Sequence, residues 1–412
     1  MKKNFISHFA GSIRRRCLAG SIAALVAGAV LSLPAPVHAE EEEGTFFWLG
    51  ETSNTWTGNN WAFNQAGNPT ESTPFAESPV TFSANGAQNQ TTTLGANFTI
   101  NSLTINDPTP VTIGGSNTLT IIGFDALTGI TVNSGAGLVT ISSSLNLSQN
   151  SELITVNNTA GIVISGSVSG TGGLVLQGSG TLTLTAANTY VGNTGISGGV
   201  LQITNDNNLG NASNAVYLEN GGTLRILANV TTNRSLVLDP ITITEIFGED
   251  NPPVTISGRS GGSIDTNGYS LTWNGVISGS GSLNKVGTGA LTLTGIDTYT
   301  GSTTVSQGSL IVDGSIASST VTVTPGALLG GTGVIGGSVV NGGTVAPGDA
   351  PGKLTIAGNY TQSPTGTLLI RIGGPATGQH DLLAVGGLAT LGGALQIQQI
   401  NNFRLTPGQA IT

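Results

Sequence analysis

The chain has 412 residues, 63 of them glycine, with one cysteine, one methionine and only 8% charged residues. Helix formers such as Glu, Lys, Arg and Met are scarce while Thr, Val, Ile, Ser, Asn and Gly dominate, which points to short pleated strands joined by tight turns; a hydrophobic fraction of 38% and a mean hydropathy of +0.18 argue against a disordered linker. The net charge is −9, and five of the 12 basic residues lie in the first 39 positions, so the remainder holds seven basic and 21 acidic residues, net −14, with no basic stripe to suit nucleic acid or anionic lipid.

Residues 1–39 read as a secretory signal peptide. Lys2, Lys3, Arg14, Arg15 and Arg16 precede the apolar run Leu18–Leu33, and Pro34-Ala35-Pro36-Val37-His38-Ala39 supplies a small-x-small site before four glutamates. Cleavage is expected after Ala39. Cys17 leaves with this segment, so the mature chain has no thiol for a disulfide or a metal. Its stability must come from backbone ladders and packing.

Residues 40–90 hold an aromatic cluster: Phe46, Phe47, Trp48, Trp56, Trp61, Phe63, Phe75 and Phe82. The expected role is an N-terminal cap that plugs the open end of a stack of strands and blocks edge pairing. A sugar-stacking platform is the other role such a cluster can play. From residue 91 to 340 the pattern alternates in twos, as in Thr118-Leu119-Thr120-Ile121 and Thr181-Leu182-Thr183-Leu184-Thr185, which is the signal of strands with one buried face.

An internal repeat organises this region. Residues 166–203 align without gaps on 275–312, sharing Ser169/Ser278, Gly170/Gly279, Gly172/Gly281, Leu174/Leu283, Gly180/Gly289, Leu182/Leu291, Leu184/Leu293, Tyr190/Tyr299, Gly192/Gly301 and Leu201/Leu310. Aligned Leu, Tyr and Gly in one register predict stacked rungs, with inward Leu, Ile and Val piling on their equivalents and outward Thr and Ser facing water. With roughly 20 residues per rung and about 4.8 Å between rungs, some 300 residues would build a rod on the order of 70 Å long.

Residues 341–412 open on the turn-rich Pro347-Gly348-Asp349-Ala350-Pro351-Gly352 and end, as an expectation, partway through a further strand. Gly180-Thr181-Leu182-Thr183-Leu184-Thr185 with Asn188-Thr189-Tyr190-Val191-Gly192 and Ile196–Leu201 resembles the autotransporter-associated β-strand repeat. Gly289–Thr294 with Asp297-Thr298-Tyr299-Thr300-Gly301 and Leu310 resembles it again. Val345–Leu354, Gly358–Gln362, His380–Val385 and Leu391–Leu395 are similar to the stretch that follows such repeats. The resemblance implies an all-β fold, a right-handed parallel β-helix (solenoid) with the aromatic cap region at its start. It also implies a passenger carried to the cell surface by an outer-membrane β-barrel translocator. No run of barrel-type segments occurs in this sequence, so the barrel is expected in a longer product, or the chain is a barrel-less secreted relative.

Residue chemistry gives no support for catalysis, for a cofactor or for a metal. Gly195-Ile196-Ser197-Gly198-Gly199 and Gly258-Arg259-Ser260-Gly261-Gly262 match a nucleophile elbow, but that motif needs a strand-to-helix turn and a histidine, and the one histidine after residue 39 is His380. Asp206-Asn207-Asn208 has oxygen donors that would suit calcium, yet reads as a polar corner. The charged cluster Glu245, Glu249, Asp250 with Arg234 and Arg259 is where a polysaccharide lyase or hydrolase would place paired carboxylates. Around Asn251-Pro252-Pro253 it reads as a solvated loop. The expectation is a monomeric, exported, non-catalytic stalk at the cell surface, outer membrane or in the medium, whose partners are glycans or other cell-surface and matrix components. The alternative is a β-helical polysaccharide-active enzyme.

Overall fold

The computed structural model describes residues 44–411 apart from 66–68, 71, 84–86, 124–128, 148–151, 239–241, 246–253, 258–260 and 349–350. The expected signal peptide therefore lies outside the described residues, as do Glu249, Asp250 and Arg259. What is described is an all-β parallel solenoid of about 12 turns, which at the usual strand spacing of about 4.8 Å is a stack roughly 60 Å tall.

Most turns contribute a strand to each of three faces. The first face is a 12-stranded sheet continued by a five-stranded one, and the second is a single 14-stranded sheet. The third begins as a four-stranded sheet and resumes as an eight-stranded one. Alternation in the sequence becomes alternation in burial. In Thr118–Ile121 and again in Thr181–Leu184 both apolar residues are buried and both threonines half-buried. Parallel pairing in register then lines up like with like. Val80, Leu103, Ile130, Ile154, Leu176, Ile196, Leu218 and Leu238 form one continuous inward row on the first face. Each such side chain contributes about 1.5–3 kcal/mol through removal from water. One residue along, Thr81, Thr104, Thr131, Thr155, Gln177, Ser197 and Glu219 make the matching outward polar row.

Glycine is required where the chain turns between faces. Gly178 and Gly198 have φ of 91° and 107°, left-handed conformations that a Cβ disfavours. They stack so closely that a side chain on Gly198 would press on the Gly178 carbonyl.

The two aligned repeats do not lie on the same faces. Leu174–Gly178 belongs to the first face, but its counterpart Leu283–Val286 belongs to the second; Thr181–Leu184 lies on the second and its counterpart Ala290–Leu293 on the third. Counting along the first face explains this. From Leu174 the face is revisited at Thr194, Val216, Leu236 and Ile277. The last step is about twice as long as the others, because a hairpin of Thr242–Glu245 and Val254–Ser257 is inserted there, antiparallel in an otherwise parallel stack. Leu283 falls six residues beyond Ile277 and so lands on the next face. The three faces are alike enough in chemistry for the same repeat to pack at either position.

The aromatic cluster sits at the N-terminal end of the first face. Phe46–Trp48 pairs in parallel with Pro79–Phe82, and on its outer side antiparallel with Trp61–Ala62, which in turn pairs antiparallel with Pro69–Thr70. The switch to antiparallel pairing ends the stack, since the next parallel strand has nowhere to add. Trp48, Trp56 and Trp61 are buried, with Trp61 edge-on to both of the others at 4.9 and 5.1 Å. Their indole N–H groups reach acceptors: Trp48 donates to the Gln88 carbonyl, Trp56 to Thr92 Oγ1 and Trp61 to the Trp56 carbonyl. At the other end, strands 382–385, 389–390 and 394–399 are the terminal ones of their sheets. Leu395 is 65% exposed there, although it continues the row in which Leu291, Leu310 and Leu329 are fully buried.

Candidate functional site

The candidate elbow at Gly195–Gly199 is a solenoid corner. Ile196 points into the core, Ser197 Oγ accepts from Asn220 Nδ2 at 2.8 Å, and a strand, not a helix, follows at Val200–Ile203. His380 sits beside strand Thr367–Ile372 of the eight-stranded sheet, about seven turns of the stack beyond Ser197. That is on the order of 30 Å from Ser197, so the two do not meet.

Asp206-Asn207-Asn208 opens a 3-10 helix, Asp206–Leu209, capped by Asn205. Two of its acceptors are already committed. Asp206 Oδ1 takes the Arg234 Nε–H at 2.8 Å, and Asn208 Oδ1 takes the backbone N–H of Thr204 and Asn205. Arg234, placed by sequence with the acidic cluster, is instead 2% exposed and folded inward. It also donates to the carbonyls of Asn211, Asn214, Asp206 and Gly210, while its own carbonyl accepts the Trp273 indole N–H. A buried guanidinium this fully bonded pins the 3-10 corner to the turn above it. Of the acidic cluster, only the backbone of Glu245 is described, paired with Val254.

The polar residues of the repeat form a recurring buried constellation. Asn188 Oδ1 accepts the Val168 N–H at 2.7 Å, and its counterpart Asp297 Oδ1 accepts the Ile277 N–H at the same distance. The Tyr190 and Tyr299 hydroxyls each lie 2.6 Å from a buried threonine, Thr194 and Thr303. Burial pushes the Tyr190 phenol up to about 12, against the hydrogen bond with Thr194, and pushes Tyr299 up as well. The copies differ at one atom. Asn188 Nδ2 donates to the Asn208 carbonyl at 2.6 Å, whereas Asp297 Oδ2 is buried and has no partner. Burial raises the Asp297 carboxyl from 3.8 to about 6, against the Ile277 N–H bond that favours its charged form.

Lys285 is a second departure. It occupies the inward position that Leu176 fills in the first copy, between Ile264 and Val305 on the second face. Fully buried, it directs Nζ to the carbonyls of Val286, Gly287 and Gln307 at 2.8–3.1 Å. Burial lowers its pKa to about 8, partly offset by the nearby Asp265 carboxylate. Sequence reasoning missed both residues. The signal was present in the repeat alignment, where Leu176 faces Lys285 and Asn188 faces Asp297.

Two open clefts flank the aromatic end. One, of about 630 Å³, is lined by Ser53, Asn54, Asn89, Gln90, Thr91, Thr109 and Pro110. Its amides are committed to the protein: Asn54 donates to the Thr91 carbonyl, Asn89 to Gly50 and Gln90 to Ala87. The other, of about 360 Å³, has Phe75 and Phe98 with Thr57, Thr73, Thr99 and Asn97. Among the described residues no group of three His, Cys, Asp or Glu side chains is placed to hold a metal ion. No helix there is long and apolar enough to cross a membrane, which says nothing of a β-barrel.

A shared buried constellation within a parallel stack is a property of repeats, and the comparison with known families bears on it directly. The passenger-associated-transport-repeat matches residues 174–203 and 283–312. The chain carries autotransporter passenger repeats. Both matched segments fall inside the self-aligned pair and end on its last inward residue, Ile203 or Val312. Over 132 residues, 32% of its length, the chain is 35% identical to the Adhesin BmaC autotransporter of Brucella suis biovar 1 (strain 1330). That stretch is 3% of the relative's length, so the homology is to a small part of a much larger autotransporter. No solved structure matches the chain.

Proposed function

We propose that this chain is the exported passenger of a surface adhesin: a non-catalytic β-solenoid stalk that holds contact surfaces away from the cell and touches glycans or matrix components. The observation that carries the reading is the pair of passenger-associated-transport repeats, built into one continuous solenoid with a polar exterior. Outward rows of Thr, Ser, Asn and Gln offer many weak hydrogen-bonding positions at a fixed spacing. Weak contacts of that kind gain strength through multivalency when many copies are displayed. The adhesin relative supports the reading, as does the acidic composition, free of cysteine after residue 39, which suits passage through the envelope unfolded.

The reading includes removal of residues 1–39 on export, display through an outer-membrane β-barrel, and a monomeric stalk. Fusing the chain to a translocator barrel and displaying it on a non-adherent bacterium tests it. Adherence to epithelial cells or coated matrix should rise in cells that stain for the chain at their surface. Surface staining without any gain in adherence would refute the adhesive role. The intact mass of the native product should correspond to a start at Glu40. Assay of reducing ends released from plant and microbial polysaccharides should show no turnover; turnover lost in Glu249→Gln or Asp250→Asn would establish the enzyme instead.

A further inference from the structure

Most of the aromatic cluster is spent on packing, but Phe75 is not. It is 52% exposed, and its buried half meets Phe46 edge-on at 5.9 Å. An aromatic ring left half in water on a loose loop would signify little. This one is held. The Phe75 N–H donates to Ser78 Oγ at 3.0 Å, and the Ser78 N–H returns to the Phe75 carbonyl at 2.9 Å, closing a tight turn. Ser78 is itself buried and its carbonyl accepts the Asn101 N–H, which ties the turn to the first full rung of the solenoid. The turn that carries the ring is thus held by the fold, which limits the conformational freedom lost on contact.

Around the ring lies the open cleft of about 360 Å³, within the size range of small-ligand sites. Phe98, 7% exposed and edge-on to Trp56 at 5.4 Å, adds a second ring to its lining. The rest of the lining is uncharged: Pro74, Ala76 and Ala96 are apolar, and Thr57, Thr73, Thr99 and Asn97 are polar. Thr57, Thr73 and Thr99 make no side-chain hydrogen bond among the described residues. Asn97 uses its Oδ1 to accept the Thr118 N–H at 2.9 Å, which leaves its amide N–H groups for other partners. A purely apolar ligand would leave those hydroxyls without partners, and an anionic one would find no counter-ion in the lining. An anion would also meet the exposed Glu77, two residues from Phe75, on a chain that is already acidic.

We propose that this cleft binds a neutral saccharide, with one C–H face of a pyranose ring stacked on Phe75 and its hydroxyls bonded to Thr57, Thr73, Thr99 and the Asn97 amide. A sugar ring matches the arrangement because it is apolar on its faces and polar around its edge. The assignment gives the adhesion reading a specific ligand and rests on that reading for its biological use. The larger neighbouring cleft lacks both features, having no aromatic ring and amides already bonded to the backbone.

Saturation-transfer NMR on the purified chain, with methyl glucopyranoside, methyl galactopyranoside and methyl N-acetylglucosaminide as probes, tests the assignment. At least one probe should receive saturation. Phe75→Ala should weaken that binding by about tenfold, Phe75→Trp should keep it, and Phe63→Ala, which removes a half-exposed ring outside the cleft, should leave it unchanged. Phe75→Trp also guards against a folding defect, since a retained signal requires an intact site. No transfer to any of the three glycosides, or transfer indifferent to Phe75→Ala, overturns the proposal. Surface-displayed chain that confers adherence yet shows no saccharide transfer sinks the cleft assignment and leaves the adhesive role standing; transfer without adherence does the reverse.

Discussion

Replacing Asp297 by Asn should make the protein more stable at neutral pH, and the size of the gain follows from one atom. In the first repeat the equivalent Asn188 satisfies both ends of its amide, accepting from Val168 and donating to the Asn208 carbonyl. Asp297 makes the first bond and leaves Oδ2 buried without a partner, in a residue only 2% exposed. Desolvation therefore holds its carboxyl near 6, against 3.8 for the free group. A group whose folded pKa is raised binds more protons in the folded state, so stability falls as pH climbs from about 4 to about 6 and the penalty is complete above that. Two pKa units correspond to roughly 3 kcal/mol at most, and relaxation of the protein around the charge brings this to about 2 kcal/mol. Asp297→Asn should gain about that much at pH 8 and differ from wild type by less than about 0.5 kcal/mol at pH 4. Guanidinium unfolding followed by tryptophan fluorescence, to which Trp273 in the turn adjoining Asp297 contributes, at pH 4, 5, 6, 7 and 8 gives the comparison. A variant that is no more stable than wild type at pH 8, or a gain that does not vary with pH, would refute the reasoning.

Lys285 should produce the opposite slope in a different window. Its folded pKa is lowered from 10.5 to about 8, so the cost of burying the charge is fully present below 8 and is relieved as pH rises towards 10; unfolding midpoints should show that rise in wild type and not in Lys285→Met. Trp56→Ala and Trp61→Ala each remove a fully buried indole and its hydrogen bond, and each should cost about 3–5 kcal/mol, read as a fall in melting temperature of the N-terminal end. A Cβ at Gly289 would overlap the Tyr269 carbonyl, whereas Gly135 has open space around it. Gly289→Ala should therefore destabilise clearly in thermal melts and Gly135→Ala hardly at all.

Much of this was legible before any coordinates. Period-two runs such as Thr181–Leu184 became strands with both leucines buried, because side chains on a pleated strand can only alternate. The aligned Leu, Tyr and Gly of the two repeats marked stacked rungs, and the tyrosines turned out to share one buried hydroxyl pairing. Trp56 and Trp61 belong to the core of the cap. Arg234 was the least legible residue. Near Glu245 in sequence, it reads as part of an acidic loop, yet it bonds Asp206, 28 positions earlier, which the solenoid brings to an adjacent turn.

The sequence by itself determined the class of fold: an all-β stack of repeated rungs, two of which match the passenger-associated-transport-repeat. Local alternation and corner glycines suffice for that, since each rung needs only its own pattern and a similar neighbour. Only the tertiary structure decided which face each repeat occupies. That depends on the length of chain between the copies: Leu283 falls six residues past Ile277 of the first face, which places the second copy one face on from the first. Only the structure, too, separated the aromatics that pack from Phe63 and Phe75, which stay half exposed, because burial is set by neighbours that the sequence keeps far apart.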